Sequence, residues 1–552
     1  MKRAGLLIAL LCFLAPGTAY AGQISSDQAI AAANRDPTLR EEKREHPDLG
    51  PSAEMKEGHW EVAYFEGGEE LALVLVDAQS GEVLESWTGY QVAWKMARGY
   101  SGAFGHKLNA PYVFLPLCAI FLLGLVDWRR LRRVANLDLL VLLGLGVSHY
   151  FFNRAEIGVS VPLVYPVLLY LLGRCLWIGL RGRGEGLRPV WPAMWLVVAA
   201  LFLMGFRVGL NLADSGAIDV GYAGVVGADR IAHGEPIYDN FPDDVSQGDT
   251  YGPVNYLAYL PFERIWPYSG SWDDLPAAHA AAVVFDVACF VLLLLIGMRI
   301  RPGPEGQRLA ATLAFGWAAY PYTAYVLESN SNDSLVAVLL LATFLLAARP
   351  FARGAMLAAA TWAKFAPAIL APMYLTYQPG PSSAAGVRAR ARAQDTRGRP
   401  TFWALAGFIV ITVLVLLWPA IDPGLKTFYD RTIASQAGRD SPFSIWGQTS
   451  LEPIRIAILA LTGIASIALA FVPRHKSLVQ LAALSAALLI LLQLTLHHWF
   501  YLYVVWFYPL LLIALAALPA QRSQPDPDRS PRRERPSPRR LPRPFQTESA
   551  SG

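Results

Sequence analysis

Charged residues are scarce in this sequence. Asp, Glu, Lys and Arg together make up 16% of 552 residues, whereas hydrophobic residues make up 54%. A composition so poor in charge excludes a string of soluble domains and is typical of a protein that crosses a membrane many times. The net charge of +4 is a weak indicator of partners, so we expect a lipid bilayer around the chain and no nucleic acid.

Cysteine is equally scarce, with four residues in the whole chain. Cys12 falls in the N-terminal leader, and Cys118, Cys175 and Cys289 fall in apolar runs. This spacing fits neither a disulfide framework nor a set of metal ligands. The sequence therefore requires no metal, and we expect no cofactor.

The chain opens with the features of a secretory leader. Lys2 and Arg3 precede the apolar run Leu6–Leu14, and Ala19-Tyr20-Ala21 has the small-x-small pattern of a cleavage site. Residues 1–21 are therefore predicted to be a signal peptide. The alternative is an uncleaved first anchor, although the apolar run is short for a membrane span. Either arrangement exports the residues that follow.

A small polar domain is predicted over residues 22–110. Ser25 and Gln28 have the spacing of a capping box ahead of the helical stretch Ser26–Asn34. A three-strand meander is predicted at His59–Phe65, Leu71–Asp77 and Glu82–Trp87. The run from the first of these strands to the last resembles a PepSY domain, which implies a binding, regulatory or structural role and no catalysis.

Beyond Pro111, hydropathy and the positions of arginine place the membrane spans, at about 20 apolar residues per crossing. The predicted spans are 112–126, 137–152, 159–180, 190–206, 277–298, 309–327, 334–348, 402–418, 451–472, 478–496 and 499–518, with two half-crossings within 354–377. Arginines recur at alternate ends of these spans, which predicts that those ends are cytoplasmic.

These spans predict an all-α polytopic membrane protein with about thirteen crossings, a small extracytoplasmic α+β domain at its N terminus and a cytoplasmic C terminus. Residues 111–189 would add three helices to a membrane core at 190–519. Residues 520–552, rich in Pro and Arg, would be a disordered cytoplasmic tail. The expected location is the plasma (inner) membrane.

Residues 354–377 are the exception to this alternation. One full crossing there would carry five arginines of 378–399 to the outside, against the charge bias of membrane proteins. Two half-crossings avoid this, with Lys364 at the bend and Pro367 and Pro372 just beyond it. Lys364 would lie about 16 Å into a hydrocarbon core of about 30 Å. A charge at that depth indicates a functional site, the alternative being a side chain that snorkels to the surface.

The polar stretch at 209–276 is the expected place for chemistry. It carries eleven acidic residues against Arg230 and Arg264, a balance that predicts an extracytoplasmic loop. Asp219 follows shortly after a predicted span, at the boundary between lipid and water. A carboxylate there could act as general base toward an acceptor hydroxyl. It could also be an ordinary solvated carboxylate, and Asp214 is the nearest rival for the role.

Several motifs resemble the C-type superfamily of membrane glycosyltransferases, and glycosyltransferase family 87 most closely. The matching stretches are Asp219-Val220-Gly221-Tyr222, Gly234–Asp239, Tyr251-Gly252-Pro253-Val254, Trp362–Leu370 and His497–Leu511. The chain departs from the family at Ser329-Asn330-Ser331-Asn332-Asp333, where members tend to show G-Q-x-N. This departure leaves the donor sugar open.

The resemblance implies an inverting glycosyltransferase that moves a sugar, with mannose as the candidate, from a polyprenyl-phosphate donor. The acceptor would be an extracytoplasmic glycolipid, polysaccharide or protein. Asp219 is the expected base and Lys364 the expected ligand of the donor phosphate. His497 and His498 could hydrogen-bond that phosphate or could be interfacial anchors. The remaining candidate substrate-binding residues are Tyr222, Tyr238, Tyr251 and Arg431.

Two other functions fit the same sequence. In a transporter or lipid-handling membrane protein, Lys364 and the two histidines would line a path, and no group would be transferred. In a PepSY-type sensor, the spans would only anchor the exported domain. The second alternative does not account for so elaborate an outer loop.

Overall fold

The computed structural model describes residues 23–56, 58–99, 105–272, 275–378, 400–437 and 441–518. The predicted signal peptide at 1–21, the basic segment at 379–399 and the predicted tail at 520–552 lie outside the described residues. Helices dominate the chain, and a small antiparallel sheet lies near the N terminus.

The N-terminal module, residues 23–99, contains the sheet. Its long helices are Ser26–Ala33 and Pro37–Glu45, and its strands are β1 (Gly50–Lys56), β2 (His59–Glu66), β3 (Glu69–Asp77) and β4 (Val83–Thr88). The strands pair antiparallel in the order β1-β2-β3-β4. The predicted capping box is present, because Ser25 accepts from the Gln28 amide while the Gln28 side chain accepts from the Ser25 amide. Val62, Val74 and Ala29 are among the side chains buried between sheet and helices.

The sequence predicted one helix and three strands here, and the structure adds a second helix and β1. The second helix begins where Asp36 accepts hydrogen bonds from the amides of Thr38 and Leu39, with Pro37 as its first residue. Strand β1 reads GPSAEMK, and its apolar alternation is weak, because only Ala53 and Met55 are partly buried. Its pairing with β2 forms it, not its own side-chain pattern.

Six helices in the described part of the chain are long and apolar enough to cross a membrane. They are Val134–Phe152, Ile157–Arg181, Ala193–Asp214, Pro276–Ile300, Pro400–Ile421 and Glu452–Phe471. Shorter apolar helices are Pro111–Leu125, Asp333–Leu345, Ala366–Thr376, Leu478–Gln493 and Tyr501–Ala516. The chain therefore has the apolar helices of a membrane protein, as its composition predicted.

Other helices complete the core, and their bounds are Gly303–Ala319, Pro321–Glu328, Pro350–Ala363 and Leu425–Tyr429. The first two replace one predicted span at 309–327. Tyr320 precedes a proline and takes an extended conformation (φ −74°, ψ 125°), so the helix stops and restarts. The prediction of a single helix there was wrong.

The stretch at 209–276 is more ordered than the predicted loop. The preceding helix runs on to Asp214, and the stretch then forms two helices, Asp219–His233 and Pro253–Glu263. We call these the Asp219 helix and the Pro253 helix, refer to the two together as the outer helices after their predicted location, and call residues 209–276 the outer stretch. Their apolar side chains pack into a separate cluster that includes Tyr222, Tyr259 and Phe285.

The predicted helix break at Lys364 is confirmed. The helix Pro350–Ala363 ends there, and Lys364 has an extended backbone (φ −143°, ψ 128°). A short 3-10 turn, Ala366–Leu370, follows and contains Pro367. The break sets the Lys364 side chain at the end of one helix and beneath the Pro253 helix.

Candidate functional site

Lys364 and Asp333 form a buried ion pair at the helix break. The Lys364 ammonium lies 2.5 Å from Asp333 Oδ1, and the two residues are 8% and 0% exposed. Burying two charges is costly, and mutual attraction with further hydrogen bonds offsets that cost. In the described part of the chain, Lys364 has this one hydrogen bond, so two of its three N–H groups remain for another acceptor.

Three aromatic rings surround the ammonium of Lys364. The ring centres of Tyr251, Tyr503 and Trp506 lie 5.3, 5.5 and 5.3 Å from Nζ. Tyr503 and Trp506 stack on each other with their centres 4.3 Å apart. Ring faces attract a cation within about 6 Å. The three rings therefore stabilise the charge of Lys364 and confine its position.

Asp333 is held by donors from two other parts of the chain. The Trp506 indole donates to Oδ1 at 2.8 Å, and the Ser331 hydroxyl donates to Oδ2 at 3.0 Å. Asp333 is the first residue of the helix Asp333–Leu345, where the helix dipole favours a negative charge. The carboxylate is thus fixed before any ligand arrives.

Two glycines let the outer helices lie directly on this site. A Cβ on Gly252 would lie 2.0 Å from the Trp362 carbonyl oxygen, beside the helix break. A Cβ on Gly221 would lie 2.2 Å from the Asn330 carbonyl oxygen, in the turn before Asp333. Neither position has room for a side chain. The close approaches explain why glycines occupy these two motif positions.

Hydrogen bonds fix the same contact between the outer stretch and the turn at 329–332. The Asn332 side chain donates to Asn255 Oδ1 at 2.9 Å, and the Ile218 amide donates to the Ser329 carbonyl oxygen at 3.1 Å. Ser329 and Asn332 are buried. The turn that departs from the glycosyltransferase pattern is therefore the support on which the outer helices rest.

Asp219 is the exposed first residue of the Asp219 helix. Burial raises the pKa of Tyr251, and the charges of Asp219 and Asp333 raise it further. Tyr251 therefore lies within electrostatic range of Asp219 while its ring faces the ammonium of Lys364. The structure brings three of the sequence-predicted residues, Asp219, Tyr251 and Lys364, into one region.

Tyr222 and Tyr238 are buried beneath this region instead of facing it. Tyr222 stacks on Trp272 with ring centres 4.7 Å apart and donates to Asp244. The Tyr238 hydroxyl donates to the Tyr251 carbonyl oxygen at 3.0 Å. Both residues shape the outer stretch, and Tyr238 positions Tyr251 directly.

Arg431 joins the loop at 421–448 to the outer stretch. Its guanidinium donates to both oxygens of the buried Asp249, at 2.6 and 2.8 Å. It also donates to the Ser246 carbonyl oxygen. The bond to Asp249 raises the pKa of Arg431. A guanidinium engaged in this way acts as a clamp between two segments.

The two histidines have separate surroundings. His497 Nε2 lies 3.3 Å from Glu452 Oε2. His498 Nδ1 lies 3.0 Å from the Ser441 hydroxyl, and its ring centre lies 6.5 Å from that of Tyr503. His498 is therefore next to the aromatic group around Lys364, whereas His497 contacts Glu452 at the start of the helix Glu452–Phe471.

Asp214 is engaged elsewhere. The Lys107 amide donates to its Oδ2 at 3.0 Å, and the Lys107 ammonium lies 3.4 Å from its Oδ1. These contacts tie the end of the helix Ala193–Asp214 to the segment that follows the N-terminal module. Asp214 is therefore engaged by Lys107 in a structural contact.

Sequence reasoning missed the partners of Lys364. Trp506 lies in the aromatic final span, where it was one ring among many, and Asp333 was noted only as part of a departure from a family motif. A signal for Asp333 was available, because it is an acidic residue directly before an apolar run. Its pairing with Lys364, 31 positions away, is a tertiary contact.

A scan against protein-family models gave no match, and a search of curated proteins found no similar sequence.

Proposed function

We propose that this chain is an inverting glycosyltransferase of a membrane. It would move one sugar, with mannose as the candidate, from a polyprenyl-phosphate donor to the hydroxyl of an extracytoplasmic glycan, glycolipid or protein. The supporting observation is the ring-lined Lys364–Asp333 pair at a helix break, together with an exposed carboxylate, Asp219, whose charge raises the pKa of Tyr251.

Lys364 supplies the cation for the donor phosphate. Two of its N–H groups are available for phosphate oxygens, and Asp333 holds the ammonium at the break. The apolar helices that carry the site provide a surface for the polyprenyl chain. In this proposal, the phosphate of a lipid-linked donor meets the ammonium of Lys364 at the depth in the membrane that the polyprenyl chain occupies.

Asp219 supplies the base. Its carboxylate takes the proton of the acceptor hydroxyl while the hydroxyl oxygen attacks the anomeric carbon, on the face opposite the phosphate. The bond between that carbon and the phosphate oxygen breaks, and the electron pair leaves with polyprenyl phosphate, whose charge Lys364 meets. Backside attack inverts the anomeric configuration. A positioned base of this kind contributes about 10² to 10⁴ in rate.

The direct test is to offer the purified full chain a panel of polyprenyl-phosphate sugars with simple acceptors. Release of polyprenyl phosphate that depends on the acceptor and on one sugar is the expected result. If every donor in the panel stays intact with the properly folded protein, the proposal is wrong.

Transport is a second candidate, and one observation favours it. Arg207 and Asp286 form an ion pair at 2.9 Å on two membrane-length helices. Near them, both carboxyl oxygens of the buried Glu328 have no hydrogen-bond partner among the described residues. Buried ionisable groups often mark ion or proton paths in membrane proteins. Lipid-dependent flux in proteoliposomes, without sugar transfer, would support this function over the first.

A further inference from the structure

We propose that residues 90–98 of the N-terminal module form part of the outer wall of the candidate site, with Trp94 as a positioning residue for His498. The link between this wall and a donor phosphate rests on the proposed function. The wall itself is independent of that function.

Residues 90–98 fold against the membrane helices. They form a short helix, Tyr90–Ala93, and a 3-10 turn, Lys95–Arg98. The Gln91 side chain donates to the Ala155 carbonyl oxygen at 3.2 Å, in the turn before the helix Ile157–Arg181. Arg98 closes the segment on itself by donating to the Gln91 and Val92 carbonyl oxygens, at 3.0 and 3.1 Å. The segment is therefore a fixed structure attached to the core.

Trp94 projects from this segment onto His498. Their ring centres are 5.7 Å apart, and Trp94 also meets Phe443 edge-on at 5.6 Å. Phe443 in turn lies 5.3 Å from His498, and Ser441 bonds to His498 Nδ1 at 3.0 Å. The imidazole thus packs against Trp94 and Phe443, and the Ser441 hydroxyl lies within hydrogen-bond distance of its Nδ1.

His498 connects this wall to the ion pair. Its ring centre lies 6.5 Å from that of Tyr503, and Tyr503 is one of the three rings around the Lys364 ammonium. A change in the position of His498 therefore reaches the place where the phosphate would bind. Trp94 acts through His498 and has no role in the bond-breaking step.

This arrangement gives the N-terminal module a role at the candidate site. Without Trp94, His498 and Phe443 would each lose one ring contact. The loss of this aromatic contact should weaken phosphate binding about fivefold. The module would thereby complete the site and not merely precede it.

Chemical footprinting of the full chain tests the inference. The protein, in lipid nanodiscs, is treated with a reagent that acylates imidazoles, and the modification of His498 is followed by mass spectrometry. Increasing amounts of a short-chain polyprenyl phosphate give the concentration that half-protects His498. The exposed His233 in the outer stretch serves as an internal reference for reagent and fold.

The variants are Trp94→Ala, Trp94→Phe and Trp177→Ala. Trp94→Ala should speed modification of His498 and raise the half-protecting concentration about fivefold, whereas Trp94→Phe keeps a ring and should stay near the wild type. Trp177 is an exposed tryptophan near the other end of the helix Ile157–Arg181 and should have no effect.

Identical His498 footprints in Trp94→Ala and wild type would overturn the wall, and a wild type that polyprenyl phosphate does not protect would overturn its link to the phosphate. A separate assay of sugar release judges the proposed function. Suppose that polyprenyl phosphate protects His498 in the wild type, that this protection depends on Trp94, and that the protein transfers no sugar. That result would contradict the glycosyltransferase proposal and would still support the wall and its link to phosphate.

Discussion

The ion pair between Arg207 and Asp286 and the one between Lys364 and Asp333 are both buried, but their surroundings differ. Arg207 lies in a continuous helix, donates to the Trp317 carbonyl oxygen, and faces an Asp286 that accepts from the Trp317 indole. Lys364 lies where a helix stops, beneath the outer helices and among three rings.

Under the proposed function, this difference separates a binding site from a structural contact between helices. Burial of charge is common to both pairs, so it cannot identify the site alone. The helix break and the approach of Gly252 connect the second pair to the polar outer stretch. The first pair is enclosed by helices, which makes it a joint between them or, in the transport alternative, one step of a path.

The largest expected effect concerns the enclosed pair. Arg207→Met leaves the carboxylate of Asp286 buried and unpaired, which should lower the free energy of unfolding by about 3 to 5 kcal/mol. Arg207→Met combined with Asp286→Leu removes both charges and should restore most of that stability. Thermal unfolding in one detergent would measure all three proteins. Full stability of the single variant would show that this pair is not the joint described here.

Lys364→Met should behave in the opposite way, with its main effect on binding. Asp333 keeps its donors Trp506 and Ser331, so less stability is lost than with Arg207→Met. Loss of the cation should weaken binding of polyprenyl phosphate about tenfold or more, because the cation meets the phosphate in ground and transition states alike. Lys364→Arg, which keeps the charge, is the matched control. If Lys364→Met bound polyprenyl phosphate as well as the wild type does, the proposed difference in role between the two ion pairs would be wrong.

Arg431 should be intermediate, because it clamps two segments together through Asp249. Arg431→Gln removes the two bonds to Asp249 and should lower stability by about 1 to 3 kcal/mol. Limited proteolysis of the outer stretch should accelerate, while half-protection by polyprenyl phosphate stays within about twofold of wild type. A selective loss of donor binding, with the outer stretch intact, would make Arg431 a substrate ligand instead.

The smallest effect is expected in the N-terminal module. His46 Nδ1 lies 2.7 Å from Glu66 Oε2, and this hydrogen bond raises the pKa of His46 above its usual value of about 6.5. The folded state therefore binds the proton more tightly, so the stabilisation is present below that usual value and is lost as pH rises through the raised pKa.

Amide exchange of β2 in the wild type and in His46→Gln, compared at each pH, would measure this. The wild type should be slightly better protected at pH values below about 6, and the two should converge near pH 8 or above. A difference in amide protection that grows as the pH rises would contradict a stabilising hydrogen bond between His46 and Glu66.

Local patterns predicted the parts of the fold that local chemistry decides. The residues that form the capping box, Ser25 and Gln28, are close together in the sequence. The prolines that accompany the break at Lys364 also lie within a few residues of it. Strand β1 was missed because only its pairing with β2 forms it. The helix break at Tyr320 was missed because the proline that follows it, Pro321, lies within an apolar run that was assigned to one span.

The candidate site divides in the same manner. Asp219, Tyr251 and Lys364 could be proposed from motif, charge and depth. Their spatial relation depends on Gly221 and Gly252, whose close contacts are tertiary. The pairing of Lys364 with Asp333 could not be read from either residue's neighbours, since it joins two different helices.

The most direct test of the account is single-turnover transfer by Asp219→Asn, with labelled donor and Asp214→Asn as its control. Asp219→Asn keeps size and removes the proton acceptor, so transfer should fall by about 10² or more while polyprenyl-phosphate binding survives. Asp214 is held by Lys107, and Asp214→Asn should change transfer little. Near-normal transfer by Asp219→Asn with an inactive Asp214→Asn would move the base to Asp214, and full activity in both would remove the outer stretch from the mechanism.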